Sequence, residues 1–600
     1  MKRRLLPRIL LPRILALSVV LAVACAAPAP PETALDLSPA TWKADYDSYM
    51  QAQLADRTSA GVATGTHGAV TVAYNGLAAR AGLEALKQGG NAIDAAMTAA
   101  MAQVTLTAGA PISYFGIMSL VYYEAATGEV HTMNAEWNTV LGEDDPMSIP
   151  GGIDLTSEEG IYGTAVSGRT ALVGGFMKGV GAAHERFGEL PWAQIFEPSI
   201  YIAENGMPIS AKTAGYFAAR HDDLSRLPET RETLIKPDGS AYAEGDVLRQ
   251  PALAATLRAI AANGTDHMYR GPWAERAVAA IQAEGGKMTL EDLAAYEVLW
   301  DAPLVAPLGE YELHSNPPPN NGGVAMVEAY NLALAAGMVA DGHWTDSPEA
   351  LRKALDVTQM MYIDFLPDEM LEQFYPGVDI TAESRVTPEY ATEMWARMEA
   401  GEKLSQWTQQ GPKHSDDVVV IDSDGNIAAI TQSINCVLWG KTAIVVDGIS
   451  IGDPGSFQQA AIAATGPGQR LGSPTETGIL FKDGQAVLGF ASMGSGLHQR
   501  TFQGLMSVTQ YGMTVEEAIN APDFFYPLTD PATFQSTFRV IAGGFPSAVL
   551  EGTGYGYQEI DPANVRFAGE GIWVAISRDP ETGELRAASH NRNNSAAVAY

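Results

Sequence analysis

Cysteine is nearly absent. The 600-residue chain holds only Cys25 and Cys436, which excludes a disulfide framework and any cysteine-based zinc cluster. No run of eighteen apolar residues occurs, so no segment reads as a membrane span. Positive charge is scarce as well: 37 Lys and Arg against 70 Asp and Glu leave a formal net charge of -33. So acidic a surface repels phosphate backbones and sets nucleic-acid binding aside. The ten His are scattered, and His184-Glu185 lacks a second His four residues on, so no metal-ligand spacing emerges and no cofactor is expected. Glycine and proline follow no period, which excludes a collagen-like chain.

What is present begins with a basic segment carrying Lys2, Arg3, Arg4, Arg8 and Arg13, followed by the apolar run Ile14 to Ala24. That run is too short to span a bilayer and reads as an export signal over residues 1–25. Ala24-Cys25-Ala26-Ala27 then allows either signal-peptidase cleavage near Ala27 or lipid attachment at Cys25. The expected location is periplasmic or exported, free or lipid-anchored. Residues 26–55, with Pro28, Pro30 and Pro31, read as a tether.

From about Val70 the text becomes α/β. Gly89-Gly90-Asn91 stops one helix and starts another within Gly76 to Val104, and Thr127-Gly128 closes a hairpin between Leu120–Tyr123 and Val130–Met133. Breaks are expected at Gly188, Pro191 and Pro198. Thr289, with Glu291 and Asp292 behind it, caps a short helix. Asn316 to Gly323 is a rigid extended segment ending in a turn, and a helical region follows to about residue 400. Gly466 to Arg470 reads as a turn, Gly552 to Gly556 as loop, and Trp192 and Trp300 as core.

The polar, breaker-rich stretch Gly401 to His414 reads as an exposed loop. After it, Val418 to Asp422 and Ile427 to Ser433 are strands around Ser423-Asp424-Gly425. A three-residue turn with a left-handed Gly pairs Asp422 with Asn426, which places Ser415 opposite Ser433. Asn435, two residues on, shares that face. A hydroxyl residue opening a strand after a disposable loop is a common turn residue. It is also what an N-terminal nucleophile needs. Ser415 Oγ would attack the His414 carbonyl, and ester hydrolysis would free an α-amine of ordinary pKa about 7.7–8.0 to act as general base. The stretch Gly489 to Met493 lacks the second glycine of a nucleophile elbow, so no Ser-His triad competes.

Several blocks in order resemble the γ-glutamyltransferase (γ-glutamyltranspeptidase) family. They are Gly89 to Ala96, Ala183 to Gly188 running into Leu190-Pro191-Trp192, Gly285-Gly286 with Thr289 to Tyr296, Pro317 to Pro319 leading to Gly322-Gly323, and Val419 to Asn426 with Ser433 and Asn435, then Tyr511 to Pro522. The resemblance implies an α/β, four-layer αββα N-terminal nucleophile hydrolase fold of two stacked sheets flanked by helices. It also implies a proenzyme cut at His414/Ser415 into a large chain (56–414) and a small catalytic chain (415–600). Ser415 then falls at the nucleophile, where the family has Thr, and Ser433 at the supporting hydroxyl. Met493 and Gly494 fall at the oxyanion donors, and Asn435 and Ser473 at substrate contacts. The implied reaction transfers an acyl group, γ-glutamyl by family, from an amide such as glutathione to water or an amine.

Three departures bear on specificity. The family Arg that clamps the substrate α-carboxylate falls at or next to Glu136, in Asn134-Ala135-Glu136-Trp137. One of two carboxylate-binding serines survives, as Ser473 beside Pro474, and the acidic pair for the α-amine has no counterpart near Asp453 to Phe457. Two alternatives therefore stay open: an acylase for a non-glutamyl amide, and an uncleaved periplasmic binding or scaffold protein.

Overall fold

The computed structural model describes residues 35–52, 61–151, 165–361, 363–365, 371–372, 375–402, 415–494, 496–529, 536–561, 571–590 and 594–600. The expected export segment, and residues 403–414 of the expected loop Gly401 to His414, lie outside the described residues. Two seven-stranded antiparallel sheets form the centre. Six strands matter to the site: β1 (Ile117–Glu124), β2 (Glu129–Ala135), β3 (Ser415–Asp422), β4 (Ile427–Ser433), β5 (Glu476–Lys482) and β6 (Gln485–Met493). The first sheet runs Ala596–Ala599, Gly68–Val72, β3, β4, β1, β2, Leu299–Asp301. The second runs Gly61–Gly65, Leu585–Ser589, Ile572–Arg578, β6, β5, Tyr311–Ser315, Leu304–Leu308.

Strand alternation explains the stacking. Val419 and Ile421 of β3 and Ile427 and Ala429 of β4 project into one apolar cluster with Ile479, Ala491, Met493 and Val574 of the second sheet. Gly489 makes the approach close, because a Cβ there would lie 2.5 Å from Ile427. Outside the first sheet lie α1 (Gly76–Lys87) and α2 (Ala92–Leu106); outside the second lie α3 (Gly322–Ala335) and α4 (Leu497–Thr509), packed with Leu480, Phe490 and Trp573. Helix, sheet, sheet and helix are the four expected layers.

Local signals hold the layers together. Asn91 caps α2 by accepting from Ile93 N and Asp94 N, and the Asp94 carboxylate accepts from Asn91 N. Gly425 takes the expected left-handed conformation at φ 87. The carboxylate of Asp422 accepts from Asn426 N and Asp424 N across the turn and from Ala92 N at the head of α2. One side chain thus ties the β3–β4 turn to the start of a helix.

Three expectations need correction. Part of the expected tether is built into the protein: Leu37, Trp42 and Tyr46 are buried, and the Tyr46 hydroxyl donates to Gly206 O. Pro198 does not break a helix but stands in the first turn of Glu197–Asn205, where its missing N–H has no intrahelical partner to lose. Trp192 and Trp300 are half-buried rather than core. With Lys178, His184, Arg270 and Tyr296 they line a groove of about 640 Å³.

Candidate active site

Ser415 pairs with Ser433 across β3 and β4, in the register read from the turn. The Ser415 hydroxyl donates to Ser433 Oγ at 3.1 Å, and both residues are buried. Because Val419 and Ile421 face the second sheet, Ser415 and Asp417 face it too. Toward this end the space between the sheets changes from apolar to polar.

The ladder extends the arrangement sideways. Ser433 pairs with Ile117 of β1, and the pairing of Met118 with Ala135 sets Glu136, just past β2, level with Ile117. Ser415, Ser433, Ile117 and Glu136 therefore form one row across the sheet. The next row inward is Asp417, Thr431, Ser119 and Asn134. The row after that, Val419, Ala429, Val121 and Thr132, begins the apolar interior.

The second sheet supplies the facing wall through Thr475 and Thr477, which share the inward parity of Ile479. Glu476, at the head of β5, pairs with Ser492 of β6 on the opposite, outer face, where His498 Nδ1 of α4 lies 2.5 Å from its Oε1. Asp417 accepts from Thr431 Oγ1 at 2.7 Å. Burial, with a smaller contribution from the Glu476 carboxylate on the far face of β5, holds the Asp417 carboxyl well above the usual carboxylate range, against the lowering effect of the Thr431 bond. Met493 ends β6 and is fully buried in the inter-sheet cluster, and Gly494 follows at φ 89.

At the far end of the row, Glu136 is fully buried. Its Oε1 accepts from Ser473 Oγ at 2.9 Å and from Thr475 Oγ1 and Asn320 Nδ2 at 3.5 Å, while its Oε2 has no hydrogen-bond partner. Burial pushes the carboxyl up to about 7, against the lowering effect of the Ser473 bond and the nearby Arg470. Arg470 spends its guanidinium elsewhere, on Asn138 Oδ1, the Asn134 backbone and side-chain oxygens, and Glu297 O. Ser473, expected as a substrate contact, thus holds Glu136.

Asn435 departs from the expected strand geometry. β4 ends at Ser433, and Asn435 is left-handed at φ 47, with its backbone N–H donating to Ser433 Oγ at 2.8 Å. The loop continues through Trp439 and Ala443, both at positive φ. It is clamped by Arg220, a buried residue whose Nη1 and Nη2 donate to Leu438 O and Gly440 O. Arg220, Asp417 and Arg470 carried no local motif, and only the layered fold brings them to the site. Among the described residues no group of His, Cys, Asp and Glu is placed to hold a metal ion.

Comparison with known proteins gives this arrangement a family. The gamma-glutamyltranspeptidase family model matches residues 78–600. The chain belongs to that family. The glutathione hydrolase proenzyme of Bacillus subtilis (strain 168) is 27% identical over 593 residues, covering 92% of this chain and 93% of that one. The acylase ACY 1 proenzyme of Pseudomonas sp. (strain V22) is 28% identical over 478 residues, 77% and 82% of the two chains. The crystal structure of cephalosporin acylase from Bacillus halodurans superposes with a TM-score of 0.73 at 24% identity, over 90% of this chain and 97% of that one. The last likeness bears on fold, and it agrees with the four layers. A gamma-glutamyltranspeptidase-family chain is an enzyme of the N-terminal nucleophile hydrolase kind, and both hydrolases and acylases stand among its relatives.

Proposed function

We propose that the protein is a self-processing amidohydrolase in which Ser415 is both nucleophile and, through its freed α-amine, general base. The observation that carries the reading is the Ser415–Ser433 hydroxyl contact at the open end of a central strand. In processing, Ser415 Oγ adds to the His414 carbonyl carbon, the peptide nitrogen leaves as the α-amine of Ser415, and water hydrolyses the resulting ester. In turnover that amine takes the Oγ proton as Oγ adds to the substrate carbonyl and hands it to the departing amine. Water or a second amine then releases the acyl group from Ser415.

Ser433 orients the hydroxyl, and Met493 and Gly494 supply oxyanion N–H groups. Asn435 positions substrate from a loop tied to Ser433. The product would be a large chain ending at His414 and a small chain of residues 415–600. Location is part of the proposal: the basic and apolar opening of the sequence argues for export, cleaved or lipid-anchored at Cys25. Among the described residues no helix is long and apolar enough to cross a membrane.

The test is direct. The purified protein should run on a denaturing gel as two chains, the smaller with Ser415 at its N-terminus, and Ser415→Ala should run as one. A single wild-type chain, or a processed Ser415→Ala, refutes the mechanism and leaves the uncleaved binding protein as the reading. Acylase chemistry on a non-glutamyl amide is the second enzymatic reading, favoured by the buried carboxyl of Glu136.

A further inference from the structure

The row that starts at Ser415 ends at a carboxyl group. Three strand spacings of about 4.8 Å separate Ser415 from position 136, and Ile117 stands between Ser433 and Glu136 as an apolar floor. An acyl chain attached to Ser415 Oγ and running along this row lays its methylenes on Ile117 and brings its far end to Glu136. The chemistry at that end is legible. Glu136 is fully buried, and three neutral donors (Ser473, Thr475 and Asn320) all converge on one of its oxygens. The other oxygen is buried and unpartnered. Among the described residues, none of the ion pairs formed by Lys, Arg or His involves Glu136, and the N–H groups of nearby Arg470 are committed to Asn134, Asn138 and Glu297.

We propose that Glu136 is a specificity-determining residue that selects acyl groups with a cationic far end, an ammonium in place of a carboxylate. Once ionised, a buried carboxyl with one satisfied oxygen lacks a charged partner; an ammonium at Oε2 supplies it as a charge-assisted hydrogen bond and draws the proton off Glu136. A carboxylate arriving at the same point meets like charge whenever Glu136 is ionised, and three donors already engaged. The inference rests on the reading of Ser415 as nucleophile and adds what that nucleophile is offered.

Three 4-nitroanilides of equal acyl length test it on the processed protein: 5-aminopentanoyl, glutaryl and pentanoyl. The 5-aminopentanoyl compound should be cleaved with kcat/KM at least roughly tenfold above glutaryl, the scale of one charge-assisted bond. Glu136→Gln should remove most of that preference and Glu136→Arg should reverse it, while pentanoyl turnover reports that the nucleophile is intact. A processed protein that prefers glutaryl, or treats the three alike, or cleaves none, overturns the assignment and leaves Ser415 standing. Failure of processing scores against Ser415 instead. Binding needs no turnover, so the processed protein should also be stabilised thermally by 5-aminopentanoate and not by glutarate. Equal shifts overturn the role of Glu136 whatever becomes of Ser415.

Discussion

The hydroxyls of Ser415 and Ser433 face each other at 3.1 Å because a turn eight residues away sets the register of their strands. Ser433 Oγ also accepts the Asn435 N–H, so one oxygen holds both the nucleophile and the loop beside it. Ser433→Ala deletes both bonds. Each is worth on the order of 1 kcal/mol, so kcat and the rate of self-cleavage should each fall about tenfold or more. Ser433→Thr keeps the oxygen and should retain most of both. Time courses of processing and single-turnover acylation measure the two separately; an unchanged Ser433→Ala enzyme would remove Ser433 from the mechanism.

Glu136 should leave a signature in stability. Its carboxyl is raised by burial from 4.5 to about 7, so the folded protein holds a proton that the unfolded chain gives up. The neutral form's advantage is whole below about pH 4.5 and is lost as pH climbs to about 7. At 1.36 kcal/mol per pH unit the full loss is on the order of 3 kcal/mol. Glu136→Gln, which cannot ionise, should therefore gain stability relative to wild type between pH 5 and pH 8. Arg470 and the Tyr296 hydroxyl are the other titratable groups near it, and burial drives the Tyr296 hydroxyl further above that window. Denaturation of both proteins across the range measures the difference; a constant offset would mean that Glu136 is ionised throughout.

Much of this was legible in residues close together in sequence. Gly425 with Asp422 set a register that reached Ser415, Asn91 with Asp94 announced a helix start, and Thr289 a capped one. Contacts across the layers were not legible. Arg470 sits in a glycine-rich turn and looks like turn text until the second sheet sets it against Asn134. Ser473 looks free to bind substrate until the sheets bring it 2.9 Å from Glu136. Asn435 follows strand alternation on paper, yet the strand ends two residues before it, where the chain turns left-handed. Trp192 and Trp300 fit the core by hydrophobicity, but composition alone says nothing about the groove they border.

Arg220 should matter to substrate without touching it. Its guanidinium bonds Leu438 O at 2.7 Å and Gly440 O at 2.8 Å, holding a loop in which Asn435, Trp439 and Ala443 occupy the uncommon left-handed region. Arg220→Lys offers one donor group to two carbonyls and cannot reproduce the fork. We expect KM to rise several-fold with a smaller change in kcat, and faster amide exchange across residues 436–443. Loss of kcat with unchanged exchange would contradict a positioning role.

Asp417 decides whether the proposed base can work. It lies two residues from Ser415 on the same face, and an ionised carboxylate there would favour the charged form of the Ser415 amine. A protonated amine cannot accept the Oγ proton. Burial, with a smaller contribution from Glu476, keeps Asp417 in its neutral form, and Thr431 satisfies one oxygen. Asp417→Asn preserves shape, neutrality and the acceptor for Thr431. The acidic limb of the kcat/KM profile, which reports the amine, should therefore stay within about 0.3 pH units of wild type. Were Asp417 charged at work, removing it would move that limb to lower pH by about one unit, the ordinary effect of a neighbouring opposite charge.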